Sequence, residues 1–143
     1  MRAGYSKRSL ADKLGIKPEM RLALLGAPEG YDNTLGKLPP GVMVSRAVRG
    51  KFDLVQLFVD RSTELDRRLP ALRKAIAPDG MIWVSWPKKV SGVETDVTEA
   101  VVRDRALAHG LVDVKVCAVD ETWSGLKLVI RLKDRVRASG GTA

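Results

Sequence analysis

The sequence predicts an α/β fold: a mostly parallel sheet with flanking helices, completed by a C-terminal antiparallel hairpin. Three observations carry that prediction. Short apolar runs bounded by glycine and proline alternate with segments of helical period between Arg21 and Leu111, the pattern of parallel strands joined by crossover helices. Two further apolar runs, Asp113 to Val119 and Leu126 to Leu132, are separated only by Asp120 to Gly125, the spacing of a hairpin. The chain has 143 residues, 45% hydrophobic and 29% charged, which suits one ordinary domain able to bury its own core.

Ser6 is placed to cap a short helix through Leu10 and Leu14, with Gly15 and then Ile16 as its stop. Arg21 to Leu25 is a short buried strand ending in Gly26-Ala27-Pro28. Glu29 to Gly41 reads as a loop, because Gly, Pro, Asn and Asp crowd it. Val42 to Val48 and Phe52 to Val59 are the next strands, the latter with Asp53 at its start and Asp60 at its end. Ser62 opens a helix with Leu65, Leu69, Leu72 and Ile76 on one stripe, stopping before Pro78-Asp79-Gly80. Pro70 is expected to kink or divide it.

Met81 to Trp86 is the fourth strand. Asp96 and Glu99 have the spacing of a capping box, and Val97, Ala100, Val101, Leu107, Ala108 and Leu111 are expected to face the core. In outline, residues 1–20 form a helical segment of the same domain and 21–132 the α/β domain. Residues 133–143 form a basic, disordered tail.

The net charge is +8, but it sits at the ends. Residues 1–21 hold six Lys or Arg against two acids, and residues 131–143 four against one, leaving a net of only +1 between them. Basic ends attract polyanions at long range, yet no basic stripe follows the core elements, so nucleic acid is not the expected partner. No run is long or apolar enough to cross a bilayer, and no apolar run follows the basic start to make a signal peptide. With a single Cys117 and a single His109, an intramolecular disulfide is excluded, and a zinc site or a histidine triad has almost no raw material. These features point to a cytoplasmic protein with no metal.

Open α/β sheets bind ligands beyond the carboxyl ends of their strands, and the candidate site residues cluster at such ends. Trp86-Pro87-Lys88-Lys89 ends the fourth strand, and Ser91 and Thr95 precede the next helix. Two ammonium groups, two hydroxyls and free helix N–H groups suit a phosphate or carboxylate; the plainer reading is a solvated loop with Thr95 or Asp96 as a cap. Pro28, Glu29 and Tyr31 follow the first strand, together with Asp32 and Asn33, and Asp60 ends the third. Glu29 or Asp60 has the chemistry of a base there, set against a plain polar turn. Trp123, beside the Ser124-Gly125 turn, either packs on the sheet edge or offers a flat platform. Ser124 is not a nucleophile elbow, because no G-x-S-x-G surrounds it, and Cys117 reads as an inert core residue.

The element order, with Leu72 to Trp86 (LRKAIAPDGMIWVSW) and the closing hairpin, resembles a shortened class I methyltransferase, a Rossmann-like fold. That resemblance implies a glycine-rich turn after the first strand, a helix between the first two strands, and an acid ending the second strand to hold a ribose. Here the turn is Gly26-Ala27-Pro28-Glu29-Gly30-Tyr31, in which Pro28 removes a backbone donor, the linking segment is a Gly/Pro loop, and Val48 is followed by Arg49-Gly50.

The chain also resembles a family of small bacterial proteins, domain of unknown function 3052. The likeness rests on Leu14-Gly15-Ile16-Lys17-Pro18, Gly80 to Lys88, Asp96-Val97-Thr98-Glu99, Gly110-Leu111 and Trp123 to Val129. It implies the fold and a bacterial cytoplasmic setting, and no activity.

The expected function is a non-catalytic module binding a small anionic ligand or a protein partner at the carboxyl edge of the sheet. No cofactor is expected. The alternatives are a methyltransferase with an atypical S-adenosylmethionine site, and a basic nucleic-acid-associated accessory protein. Either a monomer or a homodimer is compatible with the sequence.

Overall fold

The computed structural model describes residues 8–135. The chain runs α1 (Leu10–Leu14), β1 (Arg21–Leu25), α2 (Tyr31–Leu35), β2 (Met43–Ser45), β3 (Phe52–Phe58), α3 (Ser62–Ala75), β4 (Ile76–Pro87), a 3-10 turn (Lys89–Ser91), α4 (Glu99–Ala108), β5 (Leu111–Ala118) and β6 (Trp123–Ile130). The six strands form one sheet in the order β2-β1-β3-β4-β6-β5. The first four are parallel, and the β5–β6 hairpin joins β4 antiparallel, with Trp83 opposite Lys127 and Ser85 opposite Gly125. The predicted α/β fold with a mostly parallel sheet and a terminal hairpin is therefore present.

Each face of the sheet buries its own core. On one face Val55, Leu57, Val84 and Trp86 meet Leu65, Leu69 and Leu72 of α3 and Val102 and Ala106 of α4. On the other, Leu22, Leu24, Leu54, Phe58 and Trp83 meet Leu14 of α1 and Tyr31 and Leu35 of α2. Two five-residue helices have little apolar area of their own to offer. Fully buried Trp83 fills much of that thinner layer, its indole N–H donating to the Leu14 carbonyl at 2.8 Å.

Several local expectations are corrected. The cap of α1 is Ser9, whose hydroxyl accepts from the Asp12 amide at 3.1 Å; Ser6 lies outside the described residues, as does the expected 133–143 tail from residue 136 on, while its first residues, 133–135, are helical together with Leu132 rather than disordered. Within 29–41, Tyr31–Leu35 is helical rather than loop. β2 ends at Ser45, not Val48, because the Ser45 hydroxyl turns the chain by bonding both the carbonyl (2.6 Å) and the amide (3.2 Å) of Ala47.

Pro70 lies inside α3 without dividing it, since buried Leu65 and Leu69 before it and Leu72 and Ala75 after it hold both halves to the sheet. Ile76 leaves the helical stripe and pairs with Phe52 as the start of β4. Pro78-Asp79-Gly80 then bulges within that strand, where a Cβ on Gly80 would meet the Asp53 carbonyl oxygen at 3.0 Å.

The cap of α4 is Thr98, whose hydroxyl accepts from the Val101 amide at 3.2 Å, and not Asp96. Asp96 instead caps the other long helix from a distance. Its carboxylate accepts from the Ser62 amide at 2.8 Å and the Ser62 hydroxyl at 2.7 Å, at a helix start where Arg61 supplies no side-chain cap. The Ser62 hydroxyl, and then its amide, hold the Asp96 carboxyl below its ordinary value of 3.8. A depressed carboxylate contributes stability above its ordinary value and loses it as pH falls through the folded value. Asp96→Asn is therefore expected to melt lower than the parent at pH 7 and to converge with it towards pH 3, a comparison made by thermal denaturation at both pH values.

The core face of α4 also differs from expectation. Val102 and Ala106 are buried, while Ala100, Leu107 and Ala108 are exposed. Cys117 is half-buried rather than an enclosed core residue.

Candidate functional site

The strand order reverses between β1 and β3, and open sheets of this order bind ligands beyond the carboxyl ends of the strands at that point. The ends of β1 and β3 are pressed together there. Gly26 has φ +71°, and a Cβ on it would lie 2.9 Å from the Phe58 carbonyl oxygen. Tyr31 then packs edge-on against Phe58 at 4.8 Å, and Phe58 against Trp123 at 5.1 Å. With the β1–β3 side filled by that aromatic row, the opening lies towards β2. A cleft of about 370 Å³ is lined by Ala27, Pro28, Gly30, Tyr31, Asp32, Asn33 and Arg46.

The local chemistry of the cleft follows from two turns. Gly30, with φ +81°, lets the chain reverse into α2, and a Cβ there would meet nothing within 4 Å. The Ser45 turn that ends β2 brings Arg46 to the opposite lip, where its guanidinium donates to both Asp32 carboxylate oxygens at 3.1 and 3.3 Å. Both side chains are more than half exposed, so the pair is weak and opens at a cost of about 0–1 kcal/mol.

The Tyr31 ring forms the floor, 2% exposed. Its hydroxyl donates to Gln56 Oε1 at 2.7 Å, and Gln56 Nε2 donates to Ser85 Oγ at 3.3 Å, so all three buried polar groups have partners. Burial drives the Tyr31 phenol well above its ordinary value, against the opposing effect of the Gln56 hydrogen bond.

Of the sequence-derived candidates, the structure brings Pro28 and Tyr31 to this cleft, with exposed Glu29 beside them in the chain. The others are spread along the edge and largely engaged. Lys88 donates from Nζ to the Asp120 carbonyl at 2.7 Å, and the Ser91 hydroxyl donates to the Lys88 carbonyl at 2.7 Å. The Thr95 hydroxyl donates to the Asp60 carbonyl at 2.7 Å and accepts from the Val97 amide at 3.0 Å, tying two loops together. Trp86 is buried on the α3–α4 face, and Trp123 packs on the opposite face. Among the described residues, the Lys89 side chain has no hydrogen bond or ion pair, and no cluster of His, Cys, Asp and Glu suited to a metal occurs.

Arg46 is the site residue that sequence reasoning misses. A strand running to Val48 encloses it, and the only local signal of an earlier end is Ser45, a residue that favours such turns.

No protein-family model matches the chain, and no curated protein is similar to it. Solved structures are similar in fold. A SAM-dependent methyltransferase from Aquifex aeolicus superposes with a TM-score of 0.59 at 15% identity, covering 85% of this chain and 88% of that one. Magnesium protoporphyrin IX methyltransferase from Synechocystis PCC 6803 with bound SAH gives 0.54 at 13% identity, over 85% and 78%. A putative methyltransferase from Thermoplasma acidophilum gives 0.55 at 11% identity, over 82% and 71%. The fold is thus the Rossmann-like fold of the methyltransferases.

The residues of the cleft are a poor fit to the S-adenosylmethionine site that this resemblance implies. Pro28 offers no N–H in the turn, the residue after β2 is a cation rather than an acid, and the available acid, Asp32, sits on α2 already paired with Arg46. No helix of the described residues is long and apolar enough to cross a membrane.

Proposed function

We propose that this protein is a non-catalytic ligand-binding domain on a methyltransferase-type scaffold, taking a small anionic ligand in the cleft between Pro28 and Arg46. The observation that carries this reading is Arg46 itself. A planar, permanently charged donor stands at the lip of the crevice, held only by an exposed partner that an incoming anion can replace. Asn33 adds an amide to the same lining. The residues lining the cleft pair no acid with a nucleophile, so this reading assigns the protein itself no covalent step.

The second reading is a methyltransferase with an atypical cofactor site, favoured by the fold it shares with enzymes solved with bound SAH or SAM. Calorimetric titration with inorganic pyrophosphate, adenosine monophosphate and S-adenosylhomocysteine separates the two. An anion module should bind at least one of the first two probes, and Arg46→Ala should weaken that binding about ten- to a hundredfold, the worth of one charge-assisted hydrogen bond. Micromolar binding of S-adenosylhomocysteine that Arg46→Ala leaves unchanged would instead favour the methyltransferase. Silence from all three probes at millimolar concentration would remove this cleft as the site.

A further inference from the structure

On the α1 side of the sheet, the hairpin and the segment before β1 assemble a concentration of positive charge. Lys115 of β5 and Lys127 of β6 stand directly opposite each other in the ladder. Like charges in that position destabilise a strand pair. The same two lysines line a cleft of about 370 Å³ together with Arg8, Lys13 and Lys17 from the α1 segment. The one acid lining it, Asp12, is engaged by Arg8 at 3.1 Å. Among the described residues none of the four lysines has an ion pair.

Burial first, and then the charges of Lys115, Arg135 and Lys17, hold the Lys127 ammonium below its ordinary value. The protein thus tolerates unrelieved repulsion at a concave surface, and the species that relieves it is an anion of several charges. No aromatic side chain among the described residues lines the cleft, so it has no platform for stacking a base.

We propose that this cleft is a binding site for a compact, multiply phosphorylated anion, held by Lys13, Lys17, Lys115 and Lys127. It is separate from the Arg46 cleft and does not depend on the function assigned there. A point-charge ammonium on a flexible stem suits the crowded, variable geometry of adjacent phosphates. The ammonium groups draw on both the N-terminal segment and the C-terminal hairpin, so the bound anion also ties the α1 segment to the sheet.

The test is titration of the full chain with inorganic tripolyphosphate at about 50 and about 200 mM salt, beside Lys115→Gln/Lys127→Gln and Arg46→Ala variants, alone and combined. The proposal expects binding that weakens with salt, persists in Arg46→Ala, and falls at least tenfold when the two lysine substitutions are added to that background. It also expects the ligand-free lysine variant to melt no lower than the parent, because its loss removes repulsion; circular dichroism melts check this and exclude misfolding as the cause. No binding at millimolar tripolyphosphate, or binding in the Arg46→Ala background that the two lysine substitutions leave unchanged, would overturn it. A single-stranded oligonucleotide that binds more tightly as it lengthens, through the same lysines, would overturn the compact ligand in favour of a nucleic-acid backbone.

Discussion

Replacing Trp83 with alanine is expected to lower the unfolding free energy by about 3–5 kcal/mol, the usual cost of emptying a buried tryptophan site. Trp83 is 0% exposed, and few other side chains can move to fill its place. One side is the sheet, where Gly125 comes so close that a Cβ on it would lie 3.3 Å from the indole. The other side is α1, five residues long and joined to the indole by the hydrogen bond to the Leu14 carbonyl.

Domains of this size have about 5–15 kcal/mol in total, so the variant is expected to lie near the edge of folding. Trp83→Phe keeps most of the apolar filling and loses the N–H donor, for an expected loss of about 1–2 kcal/mol. Urea denaturation of the three proteins, followed by far-ultraviolet circular dichroism, measures both steps. A loss under about 1 kcal/mol for the alanine variant would show that the α1 layer is not held by this side chain.

Much of the architecture is legible in the sequence where one physical signal acts alone. The apolar runs of β1 and β3 have glycine or charge at both ends, and the hairpin partners are close in the chain, so their existence follows from composition and spacing. The errors arise where two signals compete or where the partner is remote. Apolar residues surround α4, so periodicity does not select Val102 and Ala106 over Ala100 and Leu107. Asp96 has the right spacing to cap its own helix, but the Ser62 amide and hydroxyl, 34 residues away, take it.

The candidate site shows the same division. Its position at the carboxyl edge follows from the strand pattern, whereas the commitments of Lys88 and Thr95 to backbone carbonyls 32 and 35 residues away are tertiary facts. The basic cleft is hidden for the same reason. Lys17 and Lys127 belong to opposite ends of the chain, and counting charge along the sequence dilutes a cluster that folding concentrates.

Tyr31 tests whether the floor of the Arg46 cleft is structure or site. With its hydroxyl spent on Gln56 and its ring 2% exposed, Tyr31→Phe should leave the Gln56 oxygen unsatisfied, costing about 1–3 kcal/mol near neutral pH. The pH dependence gives a second, independent sign. The folded phenol keeps its proton above the ordinary value of 10.0, where the unfolded chain releases it. Its contribution is therefore complete below about pH 10 and declines above it, by up to about 1.4 kcal/mol per pH unit.

The parent should lose stability between about pH 9 and pH 11 more steeply than Tyr31→Phe, so the gap between them narrows as pH rises. Urea midpoints at pH 8, 10 and 11 measure this, and parallel curves would show that Tyr31 is not the group titrating. Binding in the cleft supplies the functional arm. A hydroxyl whose single proton is given to Gln56 cannot also donate to an anion, so Tyr31→Phe should keep probe affinity within about twofold while Arg46→Ala loses it. Loss of binding in Tyr31→Phe with the fold intact would mean that the hydroxyl turns outward to the ligand, and Tyr31 would then join Arg46 as a contact residue.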